Sequence, residues 1–200
     1  MATAVAAELP PAVTPEEYLA RERRAEARSE YVDGRVSAMS GASRAHNLIA
    51  SNLTRELGTR LLNRPCEVYQ SDMRVRVRET GLYTYPDVVA LCGEPAFEDG
   101  AVDTLLNPAV IIEVLSPSTE AYDRGEKFAH YRRLASLREY VLVAQDRVRV
   151  EHFARRDLGW FLTATEDLDA SLELRAVDCA VPLRGVYHRV APFAAEPHAR

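Results

Sequence analysis

Two runs in this sequence are apolar at almost every position rather than at alternate ones, and each encloses one acid: Tyr85-Pro86-Asp87-Val88-Val89-Ala90-Leu91 and Val110-Ile111-Ile112-Glu113-Val114-Leu115. A strand without alternation is buried on both faces, which requires other elements above and below it. A carboxylate in such a strand costs several kcal/mol unless a metal or a partner takes its charge. Lys127 follows in an amphipathic segment. Two carboxylates with a lysine nearby suggest a hard-cation site that activates water.

The remaining pattern surrounds these strands with helices. Thr14-Pro15-Glu16-Glu17 supplies an N-cap, a proline at the first helical position and early acids, which predicts a helix from Pro15 to about Ala27. Ser29 to Val36 reads as two strands joined by a tight Asp33-Gly34 turn. Leu48, Ile49, Leu53, Leu57 and Leu61 recur at helical spacing and predict a helix over residues 43–62. Met73, Val75 and Val77 alternate with Arg74, Arg76 and Arg78, the pattern of a strand with one buried and one wet face. A helix from about Tyr122 to Ala135, a hairpin around Gln145-Asp146, a strand over Trp160 to Thr165 and a short helix within Val181 to His188 complete the reading. The order of elements describes an α/β or α+β fold with a central mixed sheet flanked by helices.

With 200 residues, 47% of them hydrophobic, and no apolar run long enough to cross a bilayer, one soluble domain over residues 14–190 is expected. Residues 1–13, without a basic start or a hydrophobic core, and residues 191–200 read as loose tails. Cys66, Cys92 and Cys179 are odd in number, far apart and without metal-ligand spacing. They argue against a disulfide framework or a zinc site and in favour of a reducing cytoplasm, with Cys92 as a small buried hydrophobe. The net charge of −5 does not advertise a nucleic-acid binder, so local basic strips must be weighed separately.

Hydrolysis of a phosphodiester needs a cation, ligands for it and a group that orients the nucleophile. Carboxylates suit Mg²⁺ or Mn²⁺, and Mg²⁺ keeps several waters, so Asp87 and Glu113 suffice, with the Val114 backbone carbonyl as a third oxygen. Residue 115 points the same way as residue 113, but a leucine stands there. Lys127 can supply the missing ammonium from the following helix. Asp123, Lys127 and Tyr131, at successive i,i+4 positions, read equally well as an ordinary surface pair beside a core tyrosine. For Asp87 the competing reading is a turn acid after Pro86, for Glu30 a surface acid. For His46 it is a satisfied half-buried histidine rather than a contact to phosphate or to water on the cation. Gln70 or Asp72 can line the site or merely cap a strand. Arg74 and Arg76 can grip a phosphate backbone or line a solvated sheet face, and Arg132-Arg133 and Arg155-Arg156 share that ambiguity.

An ordered series of segments carries a resemblance: Glu30-Tyr31-Val32-Asp33-Gly34-Arg35-Val36, then Met39, Gly41 and His46, then Cys66 through Val77, Tyr85-Pro86-Asp87-Val88, and Glu113-Val114-Leu115-Ser116-Pro117-Ser118-Thr119 with Asp123, Lys127 and Tyr131. The chain resembles the Uma-two family of the restriction-endonuclease-like PD-(D/E)xK superfamily, from about Glu30 to Val150. The resemblance implies a restriction-endonuclease-like core, a divalent-metal site on Asp87 and Glu113, and cleavage of DNA. It matches Lys127 to a lysine displaced from the usual strand position onto the next helix, which accounts for Leu115, and Glu30 to an acid near the metal. By analogy it also implies pairing of two copies into a homodimer. The sequence departs from the family at Glu139-Tyr140-Val141-Leu142-Val143-Ala144-Gln145, where an aromatic is lost and the turn changes. The expectation is therefore a Mg²⁺- or Mn²⁺-dependent endonuclease. The alternatives are a non-catalytic binding or assembly module on the same fold and a metal-dependent hydrolase of a small phosphoester.

Overall fold

A computed structural model describes residues 12–39 and 41–190. The expected tails, residues 1–13 and 191–200, lie almost wholly outside the described residues. None of the described helices is long and apolar enough to cross a membrane.

The central sheet has six strands in the order β11-β10-β9-β8-β6-β3, where β3 is Cys66–Gln70, β6 Val88–Cys92, β8 Val110–Leu115, β9 Glu139–Ala144, β10 Val150–Arg156 and β11 Gly159–Thr165. It is mixed, because β8 and β9 run parallel while the other neighbours are antiparallel. The unalternating apolar run of β8 has the predicted cause, since all six of its residues are buried.

The two faces of β8 meet different layers. Val110, Ile112 and Val114 join the cluster formed with helix α2 (Arg44–Leu61), through Ile49, Leu53 and Leu57, and with the small hairpin β12 (Ser171–Leu174) and β13 (Cys179–Pro182). Ile111 and Leu115 face the other side, with Tyr131, Leu134 and Tyr140. Each fully buried Leu or Ile contributes roughly 1.5–3 kcal/mol, so this two-sided core holds β8 firmly.

The second face is covered partly by a helix and partly by another sheet, of order β2-β1-β5-β4-β7. Here β1 is Ser29–Val32, β2 Arg35–Ala38, β4 Arg74–Val77, β5 Leu82–Thr84 and β7 Thr104–Leu105. Asp33 and Gly34 both take positive φ, 46° and 83°, as the predicted two-residue hairpin turn requires. Helix α1 (Pro15–Glu22) closes that sheet through Tyr18, Tyr31 and Tyr83 and ends five residues earlier than the sequence suggested.

Two expectations need correcting. The arginines of β4 do not line a wet face: Arg74 is buried against Asp103, 3.1 Å away, and Arg76 pairs with Glu98 and lies over the Tyr83 ring. Only Arg78, just past the strand, is exposed. The cysteines also differ from the reading. Cys66 and Cys92 stand opposite each other on β3 and β6 and form a disulfide, so Cys92 is neither free nor buried, and only Cys179 is a free, buried thiol. Distance along the chain hid a cross-strand pair, and the cysteines no longer argue for a reducing compartment.

Candidate active site

Glu113 shares the side of β8 that Ile111 and Leu115 occupy and therefore points toward the second face, into the layer that holds the helix after the strand. Ser116 turns the chain at the strand end by accepting the Thr119 N–H. The helix then runs as α3 (Glu120–Tyr122), a π-helical turn (Asp123–Lys127) and α4 (Phe128–Tyr131). A π-helical turn widens the backbone and leaves a carbonyl without its usual donor, a feature often found at functional sites. The Tyr140 hydroxyl donates to the Asp123 carbonyl at 3.0 Å and so anchors the turn.

The turn brings Lys127 down onto Glu113. The ammonium Nζ lies 3.0 Å from Glu113 Oε1, 3.2 Å from Glu30 Oε1 and 3.4 Å from Asp123 Oδ1. Tyr131, one turn further on, donates its hydroxyl to Glu113 Oε1 at 2.8 Å. Glu30 reaches the cluster from β1 and also accepts the hydroxyl of Thr84. Asp123, Lys127 and Tyr131 are all buried, so they form an interior network and not a surface pair.

Asp87 lies immediately before β6, slightly more open than Glu113. Its Oδ2 accepts the Val114 N–H at 2.7 Å, and its own N–H donates to Glu113 Oε2 at 3.3 Å. His46 comes from the first turn of α2, where the Ser43 hydroxyl caps the His46 N–H at 3.1 Å. His46 precedes the buried Ile49 and Ala50 by one helical turn, and its Nε2 lies 3.2 Å from Asp87 Oδ2. Around these groups opens a cleft of about 760 Å³ that Glu30, His46, Asp87, Glu113, Asp123 and Lys127 all line.

The electrostatics follow from burial and crowding. Burial pushes Glu113 up to about 8; Lys127 opposes this, while Asp87 and Asp123 add to it. Burial also raises Asp123, with Lys127 opposing. For Lys127 burial acts downward, but Glu113, Tyr131, Glu30 and Asp123 outweigh it and hold the group well above its ordinary value. The acids around Lys127 therefore favour its ammonium form. Burial likewise acts downward on His46, and the hydrogen bond and charge of Asp87, the charge of Asp123 and the Val114 backbone reverse it.

Four carboxylates thus share one ammonium and one imidazole. This surplus of negative oxygen, with Glu113 raised by burial and by the charges of Asp87 and Asp123, suits a hard cation. Among the described residues no three His, Cys, Asp or Glu side chains gather into a ready-made metal cage. Mg²⁺ needs none, since it is usually bound by one or two carboxylates and keeps its waters.

The structure therefore brings Glu30, His46, Asp87, Glu113, Asp123, Lys127 and Tyr131 together and places Arg74 and Arg76 elsewhere, in the ion pairs of the second sheet. Gln70 and Asp72 lie outside the cleft wall, Asp72 pairing with Arg28 at 3.0 Å. Sequence reasoning missed Thr84 and Tyr140, which hold Glu30 and the π-helical turn. It also passed over a plain signal: Lys127 is the only lysine in the chain, and every other basic residue of the 25 Lys plus Arg is arginine. A chain that uses arginine everywhere else keeps a compact point charge only here.

The family model described as "Putative restriction endonuclease", Uma2, matches residues 15–182. The chain belongs to the Uma2 family. Two uncharacterized proteins of Synechocystis sp. (strain ATCC 27184 / PCC 6803 / Kazusa) are similar over nearly their whole lengths. One is 39% identical across 80% of this chain and 92% of its own, the other 34% identical across 90% and 94%. The crystal structure of "a putative nuclease belonging to DUF820" from Anabaena variabilis ATCC 29413 superposes with a TM-score of 0.71 over 86% of this chain and 96% of its own. At 17% identity it shows that this Uma2 protein shares its fold.

Proposed function

We propose that this Uma2 protein is a Mg²⁺- or Mn²⁺-dependent endonuclease that hydrolyses DNA phosphodiester bonds in the cleft at the end of β8. The observation that carries this reading is the Glu113–Lys127 contact at 3.0 Å, with Asp87 linked to Glu113 and to the Val114 N–H. Asp87 and Glu113 would hold the cation, with the Val114 carbonyl as a further oxygen. A bound divalent cation would neutralise the phosphate and lower the pKa of water.

The chain's own residues divide the remaining work. Tyr131 occupies Glu113 Oε1 and fixes the carboxylate's rotamer, while the Val114 N–H fixes that of Asp87. Lys127 supplies a positive charge beside Glu113 that can orient water and stabilise charge developing on phosphate oxygens. Its acidic neighbours favour the ammonium form, which suits orienting or activating water through its charge. Asp123 and Glu30 hold it in place. His46 stands beside Asp87, where it can contact a phosphate oxygen or the attacking water.

The test is metal-dependent cleavage of supercoiled and linear DNA by the purified chain. The parent should cut with Mn²⁺ and not with EDTA, whereas Asp87→Ala and Glu113→Ala should lose at least 100-fold in rate while keeping the fold. Absence of cleavage of any DNA or RNA, or equal cleavage by the variants, would leave a binding module as the better reading. Turnover confined to generic small phosphodiesters would favour the small-phosphoester hydrolase.

A further inference from the structure

The catalytic cleft is rich in carboxylates, which repel the DNA that the proposed function requires it to hold. Positive charge that no carboxylate neutralises gathers elsewhere. The Arg132-Arg133 and Arg155-Arg156 pairs, far apart in sequence, meet where α4 ends beside the β10–β11 hairpin: the Arg155 guanidinium donates to the Arg132 carbonyl and, at 3.2 Å, to the Ala135 carbonyl. Arg138 adjoins them, since its carbonyl accepts the Arg155 N–H at 2.7 Å.

Around the corner lies a hollow of about 570 Å³, lined by Arg138, Arg155, Arg156 and Arg175. Two acids also line it. Glu139 is buried and already engaged, accepting the N–H groups of Arg175 and Ala176 at 3.1 and 3.0 Å and facing His152 Nε2 at 3.1 Å. Glu173 is exposed. Among the described residues no carboxylate lies within 4.0 Å of the guanidinium of Arg132, Arg133, Arg138, Arg155, Arg156 or Arg175, whereas Arg23, Arg64, Arg74, Arg76, Arg124 and Arg149 are all paired. Burial and the like charge of Arg138 lower Arg155. Two of the cations are held over rings, Arg155 over Trp160 at 4.8 Å and Arg156 over Phe161 at 5.0 Å.

We propose that Arg138, Arg156 and Arg175, flanked by Arg132, Arg133 and Arg155, form a second surface that binds the phosphate backbone of a nucleic acid outside the catalytic cleft. None of these six residues lines the cleft. The cleft opens at the Leu115 end of β8, whereas Arg138 precedes β9 at the other end of this parallel pair, where Glu139 stands opposite Val110 and the Arg138 N–H donates to the Ala109 carbonyl. The choice of ligand rests on the nuclease reading, but binding is measured without cleavage.

The experiment uses the full chain in EDTA with a fluorescein-labelled 20-base-pair duplex, followed by anisotropy across a range of NaCl concentrations. Neutralising Arg138, Arg156 and Arg175 to Gln should weaken binding at least tenfold at 0.1 M salt. It should also flatten the log–log salt dependence by about 2 to 3, close to 0.9 for each lost phosphate contact. The corresponding triple Lys variant, which keeps the charge, should retain most of the affinity. A control neutralising Arg21, Arg24 and Arg78, exposed and equal in charge change, should leave the slope unchanged. An unaltered slope in the first variant, or an equal loss in the control, overturns the patch. A chain that cuts no DNA but binds duplex through these arginines sinks the nuclease reading and leaves the patch standing.

Discussion

Lys127 Nζ lies 3.0 Å from Glu113 Oε1 although one side chain descends from a π-helical turn and the other rises from the centre of a sheet. Leu115 fills the position on β8 from which a strand-borne lysine would reach the same point, and it is packed into the core with Tyr131 and Leu134. The Glu113–Lys127 pair is thus assembled across two elements, and its charge balance depends on both.

Removing the lysine strands its partners. Lys127→Met should destabilise the protein by on the order of 3 kcal/mol, because buried Glu113 and Asp123 lose their cation. Urea unfolding at pH 7.5 checks this, and Lys127→Arg should recover stability more than activity, since a planar guanidinium cannot occupy the point-charge position.

Cation binding should depend on pH in a definite direction. Glu113 is raised from 4.5 to about 8 by burial, so below pH 8 a cation must displace a proton from it. Mn²⁺ affinity, measured by calorimetry, should therefore rise between pH 6.5 and 8.5. Addition of Mn²⁺ should raise the melting temperature of the parent by several degrees and leave Glu113→Gln and Asp87→Asn unmoved.

The disulfide should be a stabilising feature in its own right. Cys66 and Cys92 are separated by 26 residues, which corresponds to about 3.5 kcal/mol of loop-closure entropy. Reduction should lower the unfolding free energy from urea titration by a matching amount, and thiol titration after unfolding should count one free thiol before reduction and three after.

An acid-side prediction concerns the second sheet. The hydrogen bond from Arg23, opposed by partial burial, lowers Asp103 from 3.8 to about 2. A carboxylate lowered on folding stabilises the native state above its unfolded value and loses that contribution as pH falls from 3.8 through 2. Asp103→Asn should accordingly be less stable than the parent at pH 7, with the difference shrinking toward zero near pH 2 in thermal melts.

Most of the candidate site was legible because its chemistry contradicts its surroundings. Asp87 and Glu113 stand out among apolar neighbours, and the Asp33-Gly34 turn and the stripe of α2 follow local rules. Two kinds of information were not local. Arg74 and Arg76 alternate with valines as wet residues do, and only the fold supplies Asp103 and Glu98 from a distant loop to bury them. Cys66 and Cys92 meet only because β3 and β6 pair in one register. The π-helical turn was invisible for a related reason, since its anchor, Tyr140, lies on a strand that follows it.

The most direct test is a crystal soaked in Mn²⁺ and measured at the manganese absorption edge. One anomalous peak within about 2.2 Å of carboxylate oxygens of both Asp87 and Glu113, with Lys127 still beside Glu113, is the predicted result. A cleft without manganese at saturating concentration, or a cation held by other residues, would contradict it.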